Sequence, residues 1–203
     1  MEKFGSMHIL NICIISASQI LFIVYFLMIT YKHTSTDKEL EQILKLQQAN
    51  LPKNTSKEER KVQGFVTVEH NFDVLKQMHN VYPHTIAVSD DKVVGYVLSM
   101  SIKFGSSIPV LVPMFEEFKK HNIAEDFIVM GQVCVDKEYR GKGVFRGLYS
   151  KMAETFSNKY NRIITEVDKL NTRSLNAHYA IGFSDITEYK AGGQLWKIIG
   201  LCI

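Results

Sequence analysis

Cysteine is scarce and scattered. The three in this 203-residue chain, Cys13, Cys134 and Cys202, form no CxxC pair and no Cys/His cluster, so neither a disulfide framework nor a zinc site is indicated. A reducing cytosol fits this usage, and Cys134, inside an apolar run, reads as a small buried hydrophobe. With 12 Gly and 4 Pro, the chain has no collagenous or low-complexity bias. Charge of one sign is also lacking: 24 Lys and Arg against 21 Asp and Glu leave a net charge of +3, too little for a basic nucleic-acid face, so nucleic acid is not an expected partner. Internal repeats are absent. What remains, 46% apolar and 22% charged residues, is an ordinary globular composition, and the length suits one domain with a sizeable core.

The N-terminus departs from this picture. Ile9 to Ile29 runs 21 residues without a charge. At about 1.5 Å per residue that is long enough to cross a bilayer core of roughly 30 Å. Asn11, Ser16, Ser18 and Gln19 interrupt the run, and Glu2, Lys3, Lys32 and Lys38 give only a slight orientation bias. A cleaved signal peptide fits worse, because more apolar sequence follows the small residues at 16–18 directly.

From Thr30 the pattern is regular. Thr36 and Glu39 have capping-box spacing, and Leu40, Ile43, Leu44 and Gln47 recur at helical intervals, which predicts a helix over Thr36–Ala49. Asn50 to Lys61 reads as a polar connector, and a shorter helix is expected over Asn71–Asn80, ahead of Pro83. His84–Ser89 and Lys92–Ile102, separated by Asp90 and Asp91, predict an antiparallel hairpin. A helix near Met114–His121 and a strongly apolar strand over Phe127–Val135 follow. Phe145, Leu148, Tyr149, Met152, Phe156 and Tyr160 then mark one buried helical face. A strand over Arg162–Val167, a helix over Asn171–Ile181, and strands over Ser184–Tyr189 and Gln194–Gly200 complete the chain. The alternation implies an α/β or α+β fold around a strand, loop, helix, strand unit.

VDKEYRGKGVFRG, Val135 to Gly147, is the segment richest in chemistry. A glycine-rich turn entering a helix gathers unpaired N–H groups and a partial positive charge, which suits a phosphate. Gly141 and Gly143 remove side-chain bulk, and Arg140, Lys142 and Arg146 add charge. A nucleotide P-loop would need Ser or Thr after a Gly-Lys pair, but Val144 follows Gly143; a dinucleotide loop would need glycine where Arg146 stands. On the loop alone, a phosphate cradle and a solvated basic turn both fit.

A second segment, NTRSLNAHYAIGF from Asn171 to Phe183, begins with a capping-type Asn and ends at Gly182. Together, in order and on the expected elements, the two segments resemble the GNAT family of acyl-coenzyme A dependent N-acetyltransferases, over residues 28–203. The family loop Q/R-x-x-G-x-G/A is matched at Arg140 and Gly143 but not at Phe145. In the later pattern N-x-x-A-x-x-L-Y-x-x-x-G-F, Asn171, Gly182 and Phe183 are identities, while Ser174, Ala177 and His178 are substitutions.

The resemblance implies a mixed, mostly antiparallel twisted sheet of six to seven strands, splayed between the fourth and fifth, with about four flanking helices. It implies acetyl-coenzyme A as acyl donor, no metal, and an acetyl transfer to a primary amine of a small molecule or peptide. Its pantetheine arm would lie along Val133, Cys134 and Val135, using the backbone at Val133 and Val135. Its pyrophosphate would sit on Gly141, Lys142, Gly143, Val144 and Phe145 behind Arg140, with Asn171 and Ser174 reaching it from the later helix. His178, in the place of the family's tyrosine, is the expected acid for the leaving thiolate, and Tyr179 is expected in the core. Gln132 stands near where some relatives carry a carboxylate and cannot accept a proton, so Glu166 is the candidate base. A coenzyme-binding module with weak turnover is the alternative reading, and a homodimer is compatible with either.

The opening strand over about Leu27–Lys32 would begin where the apolar run ends, leaving no spacer between a bilayer and a core strand. The expected organisation is therefore an apolar extension or upstream translated sequence, 1–27, followed by the transferase domain, 28–203, in the cytoplasm. The alternative is the same domain anchored to the inner membrane and facing the cytoplasm.

Overall fold

The computed structural model describes residues 29–105, 111–123 and 126–203. The extension over 1–27, and the membrane reading attached to it, lie outside the described residues. Among the described residues no helix is long and apolar enough to cross a membrane.

The seven strands are β1 (Thr30–His33), β2 (Thr85–Ser89), β3 (Lys92–Met100), β4 (Phe127–Val135), β5 (Arg162–Asp168), β6 (Ser184–Ala191) and β7 (Gln194–Cys202). They form one sheet in the order β1-β2-β3-β4-β5-β7-β6, antiparallel at every step except β4 to β5. The β2–β3 turn has positive φ at Asp90 and Asp91, 49° and 59°, a conformation that aspartate tolerates in two-residue hairpins.

Among the described residues six α-helices accompany the sheet: α1 (Asp37–Ala49), α2 (Lys57–Gln63), α3 (Phe72–Val81), α4 (Val112–Lys120), α5 (Val144–Phe156) and α6 (Thr172–Tyr179). The capping box at the head of α1 forms as the spacing predicts. Thr36 Oγ1 accepts from the Glu39 N–H at 3.3 Å, and the Glu39 carboxylate accepts from the Thr36 N–H at 3.1 Å. Helix α2 was not expected. It buries no residue and so carries no apolar period; its one sequence signal is Ser56, whose side chain caps the Glu59 N–H at 3.0 Å. Helix α5 stops at Phe156, short of Tyr160, although the Tyr160 ring still packs on Phe156.

Two apolar clusters cover the two faces of the sheet. Leu40, Ile43, Leu75, Met78 and Phe118 from α1, α3 and α4 pack on Tyr96 and Leu98. On the other face, Leu148, Met152 and Phe156 of α5 and Leu175 of α6 pack on Val97, Ile128 and Ile163. Tyr179 does not join this core. It is exposed, and its hydroxyl donates to Asp185 at 2.5 Å, because the α6 face that turns inward is the one carrying Leu175 and His178.

Two irregularities shape the centre. Register along β3–β4 shifts between Val97 and Ser99, so that two residues of β4, Gly131 and Gln132, stand opposite Leu98 alone on β3. This is a bulge at Gly131–Gln132. The β4–β5 pairing covers only Phe127↔Arg162, Ile128↔Ile163 and Val129↔Ile164, after which the strands part.

Replacing Thr36 by Ala should lower the unfolding free energy by about 1 kcal/mol, read as a drop of roughly 2–4 °C in Tm, because the Glu39 N–H loses its acceptor.

Candidate active site

Where β4 leaves β5, its backbone groups lose their partners on that side. The Asp136 N–H donates to the Val94 carbonyl at 2.8 Å, which makes Asp136–Val94 a hydrogen-bonded pair of the β3–β4 ladder. Alternation along an antiparallel ladder then turns Cys134 toward β3 and points the backbone of Val133 and Val135 into the gap. The Cys134 side chain is buried, and burial pushes its thiol up to about 12, so it is inert.

Beyond β4 the chain turns through Asp136 to Gly143 into α5. Gly141 and Gly143 hold φ of 73° and 81°, and a Cβ on either would meet nothing within 4 Å. Backbone conformation, not crowding, is what requires glycine here. The N–H groups of the first turn of α5, from Val144 on, have no intrahelical partner, and no side chain caps them.

The basic residues around the loop are mostly occupied. Arg140 donates to the Val135 carbonyl at 2.9 Å, Gln63 Oε1 at 3.0 Å and Asn50 Oδ1 at 2.6 Å, tying the loop to the ends of α1 and α2. Arg146 donates to the Ala180 carbonyl at 3.0 Å, and Lys142 lies over the Tyr139 ring.

Loop, strand edge and α6 enclose a cleft of about 450 Å³. Of the residues expected to hold a cofactor, Val133, Cys134, Val135, Arg140, Gly141, Gly143, Val144, Phe145 and Ser174 line it; Lys142 and Asn171 do not. Asn50, Gln63 and Phe65 also line it and were not anticipated, since they lie far from both motifs in sequence; Arg173 and Ile181, at unspecified positions of the Asn171–Phe183 segment, line it too. Phe145 satisfies two demands at once. Its ring packs within 5.0 Å, centroid to centroid, of Tyr149 and of His178, while its residue forms part of the cleft wall.

A second, smaller cavity of about 50 Å³ adjoins it between β4 and β5, with Gln132, Glu166, His178 and Trp196 in its wall. The two cavities share Phe65, Val66, Val133 and Ser174. Phe65 and Val66 belong to a strap that follows α2 and is held from both sides of the gap. From the β4 side, Gln132 Nε2 donates to the Val68 carbonyl at 2.7 Å; from the α6 side, Asn171 Nδ2 donates to the Phe65 carbonyl at 2.9 Å. Asn171 Oδ1 also caps the Ser174 N–H at 3.3 Å, so its amide is occupied at both ends and it works as a positioning residue.

His178 is fully buried. Its Nδ1 lies 2.8 Å from the Ser174 carbonyl, which can only accept, so Nδ1 carries the proton. Nε2 then accepts from the Tyr149 hydroxyl at 2.7 Å. Burial pulls the imidazole down to about 4, keeping it neutral. The acid role expected of His178 is not met in this arrangement: the one ring proton is held by a backbone carbonyl, and the other nitrogen is an acceptor already in use.

Glu166 differs. It projects into the smaller cavity, and burial raises its carboxyl to about 7, against the opposing effect of a hydrogen bond from Tyr189. Tyr189 lies 23 residues away on β6, and no sequence signal pointed to it. Gln132 accepts from the Tyr96 hydroxyl at 2.6 Å, so both ends of its amide are in use. Among the described residues no group of His, Cys, Asp and Glu is arranged to hold a metal ion.

The chain is similar in fold to several solved acetyltransferases. The NatC complex bound to Gag peptide and CoA matches with a TM-score of 0.62 at 17% identity, over 87% of this chain and 99% of that one. The ribosomal-protein-S18-alanine N-acetyltransferase of Escherichia coli gives 0.59 at 13%, over 87% and 94%. The putative acetyltransferase yncA of Salmonella typhimurium, solved with acetyl-CoA, gives 0.58 at 14%, over 86% and 93%. No curated protein sequence is a significant match. The model of the Acetyltransferase (GNAT) family matches residues 40–183, well over half of the chain, a span that contains the loop, the parted strands and α6. This chain belongs to the GNAT acetyltransferase family.

Proposed function

We propose that the chain transfers an acetyl group from acetyl-coenzyme A to a primary amine, with Glu166 as the proton acceptor. The observation that carries this reading is the junction of the two cavities. A cleft suited to a phosphate-bearing thioester meets a pocket holding a buried carboxyl at Phe65, Val66, Val133 and Ser174. The solved relatives holding CoA and acetyl-CoA lend support to the choice of donor.

This chain's own groups fit that donor. Gly141 and Gly143 turn the backbone so that N–H groups of the loop and the first turn of α5 can receive a pyrophosphate, with Lys142 exposed beside them. The Val133 backbone and the Val135 N–H offer an open strand edge to an extended arm, the Val135 carbonyl being held by Arg140. Bound acetyl-coenzyme A supplies an activated acetyl thioester. Glu166 then takes the proton released as the amine nitrogen bonds to the acetyl carbon, and returns it to sulfur as the carbon–sulfur bond breaks. One carboxyl near neutrality can do both, so no separate acid is required. An outward N–H in the Val133–Val135 stretch is placed to polarise the carbonyl. The amides at Gln132 and Asn171, both fully bonded within the protein, favour the weaker second reading of a binding module with little turnover, and the same assay decides between the two. A reducing cytoplasm suits the unpaired Cys134 and Cys202.

Glu166→Gln should lower kcat by about a hundredfold or more with acetyl-coenzyme A affinity, read by calorimetry, within about twofold. In the unaltered chain kcat/KM should rise with pH through about 7, because the raised carboxyl is protonated and inactive below that value. Tyr189→Phe removes a donor that favours the carboxylate, so it should move this rise to higher pH; an unmoved midpoint would mean Tyr189 serves packing alone.

A further inference from the structure

We infer that the acceptor is an unbranched alkyl primary amine, of the kind carried by a lysine side chain or a polyamine, and not the α-amine of a peptide. The inference rests on the acetyl-transfer reading and specifies its acceptor. Glu166 lines the smaller cavity and not the larger one, so an amine that gives its proton to Glu166 must lie in the smaller one. That cavity measures about 50 Å³. A water-sized group needs roughly 10–15 Å³, so the walls, which open to solvent on the far side, take about four groups next to Glu166: an amine nitrogen and two or three methylenes in file. A peptide terminus presents its amine on a carbon that already bears a carbonyl and, glycine aside, a side chain, with the next peptide unit behind it.

The chemistry of the walls points the same way. Phe65, Val66 and Trp196 are apolar. Among the polar side chains beside them, Gln132 and Asn171 are occupied at both ends of their amides and His178 at both nitrogens, while Thr67, Thr165 and Ser174 contribute hydroxyls. Asp168 accepts from the Leu170 N–H and from the Gln194 amide, each at 2.9 Å. Glu166 uses one carboxylate oxygen on Tyr189, and the other has no side-chain partner among the described residues. The cavity therefore offers one open carboxylate oxygen for the amine, and the amide of a peptide terminus would exchange its hydration for the Thr67, Thr165 and Ser174 hydroxyls alone. Methylenes ask for no such partner and gain from the apolar walls.

Steady-state thiol release by the full-length chain, with products identified by mass, tests this directly. Four acceptors are compared with acetyl-coenzyme A: n-butylamine, sec-butylamine, Nα-acetyl-lysine amide and Ala-Ala-Ala amide. The expected result is a kcat/KM for n-butylamine at least about tenfold above that for sec-butylamine, and a similar margin for the lysine derivative over the tripeptide. Equal rates for the two butylamines, or the tripeptide as the better acceptor, would overturn the inference while leaving acetyl transfer intact. Binding of acetyl-coenzyme A without transfer to any of the four would overturn the acetyl-transfer reading itself, and the inference with it.

Discussion

Strands β4 and β5 share three parallel pairs and then separate, while β4 runs on for six more residues to Val135 and β5 for four more to Asp168. Backbone N–H and C=O groups inside a protein need partners, and a central strand stripped of its neighbour leaves a row of them open. Everything that distinguishes the site follows from that separation. It exposes the Val133 and Val135 backbone, makes room for both cavities, and lets Glu166 project into an interior gap where its carboxyl is poorly hydrated.

Such a gap tends to close or flood unless something spans it. Here the strap after α2 does so, held at the Val68 carbonyl by Gln132 and at the Phe65 carbonyl by Asn171. Arg140 adds a third tie, joining the glycine loop to Asn50 and Gln63. The side chains most suggestive of ligand binding in the sequence thus turn out to hold the backbone of the cleft. In the proposed reading phosphate recognition falls to loop N–H groups, which is compatible with Phe145 standing where the family motif has a small residue: its ring turns to Tyr149 and His178 while its N–H remains on the helix end.

Elements with a buried apolar period were legible in the sequence. The bounds of β4 are those expected, and α5 begins at Val144 beside the predicted stripe, because Leu148, Met152 and Phe156 recur at helical spacing. Helix α2 was not legible, since a helix with no buried face leaves no period to read. The loop glycines and Glu166 could be named from residue type and order. Their partners could not. Asn50 and Gln63 lie 90 and 77 residues from Arg140, and Tyr189 is an ordinary strand tyrosine until the β5-β7-β6 order brings it to Glu166. Likewise His178 is a plausible acid by position, and only the Ser174 carbonyl and the Tyr149 hydroxyl reveal where its proton lies.

The open edge of β4 is the central claim, and amide hydrogen exchange resolved at Val133 and Val135 tests it most directly. Without ligand, both amides should exchange faster than that of Cys134, which is paired with β3, and saturating acetyl-coenzyme A should slow them by tenfold or more, ~1.4 kcal/mol. If Val133 and Val135 exchange as slowly as Cys134 in the free chain, or if ligand protects the glycine loop and leaves both valines unchanged, the parted strands do not form the binding edge.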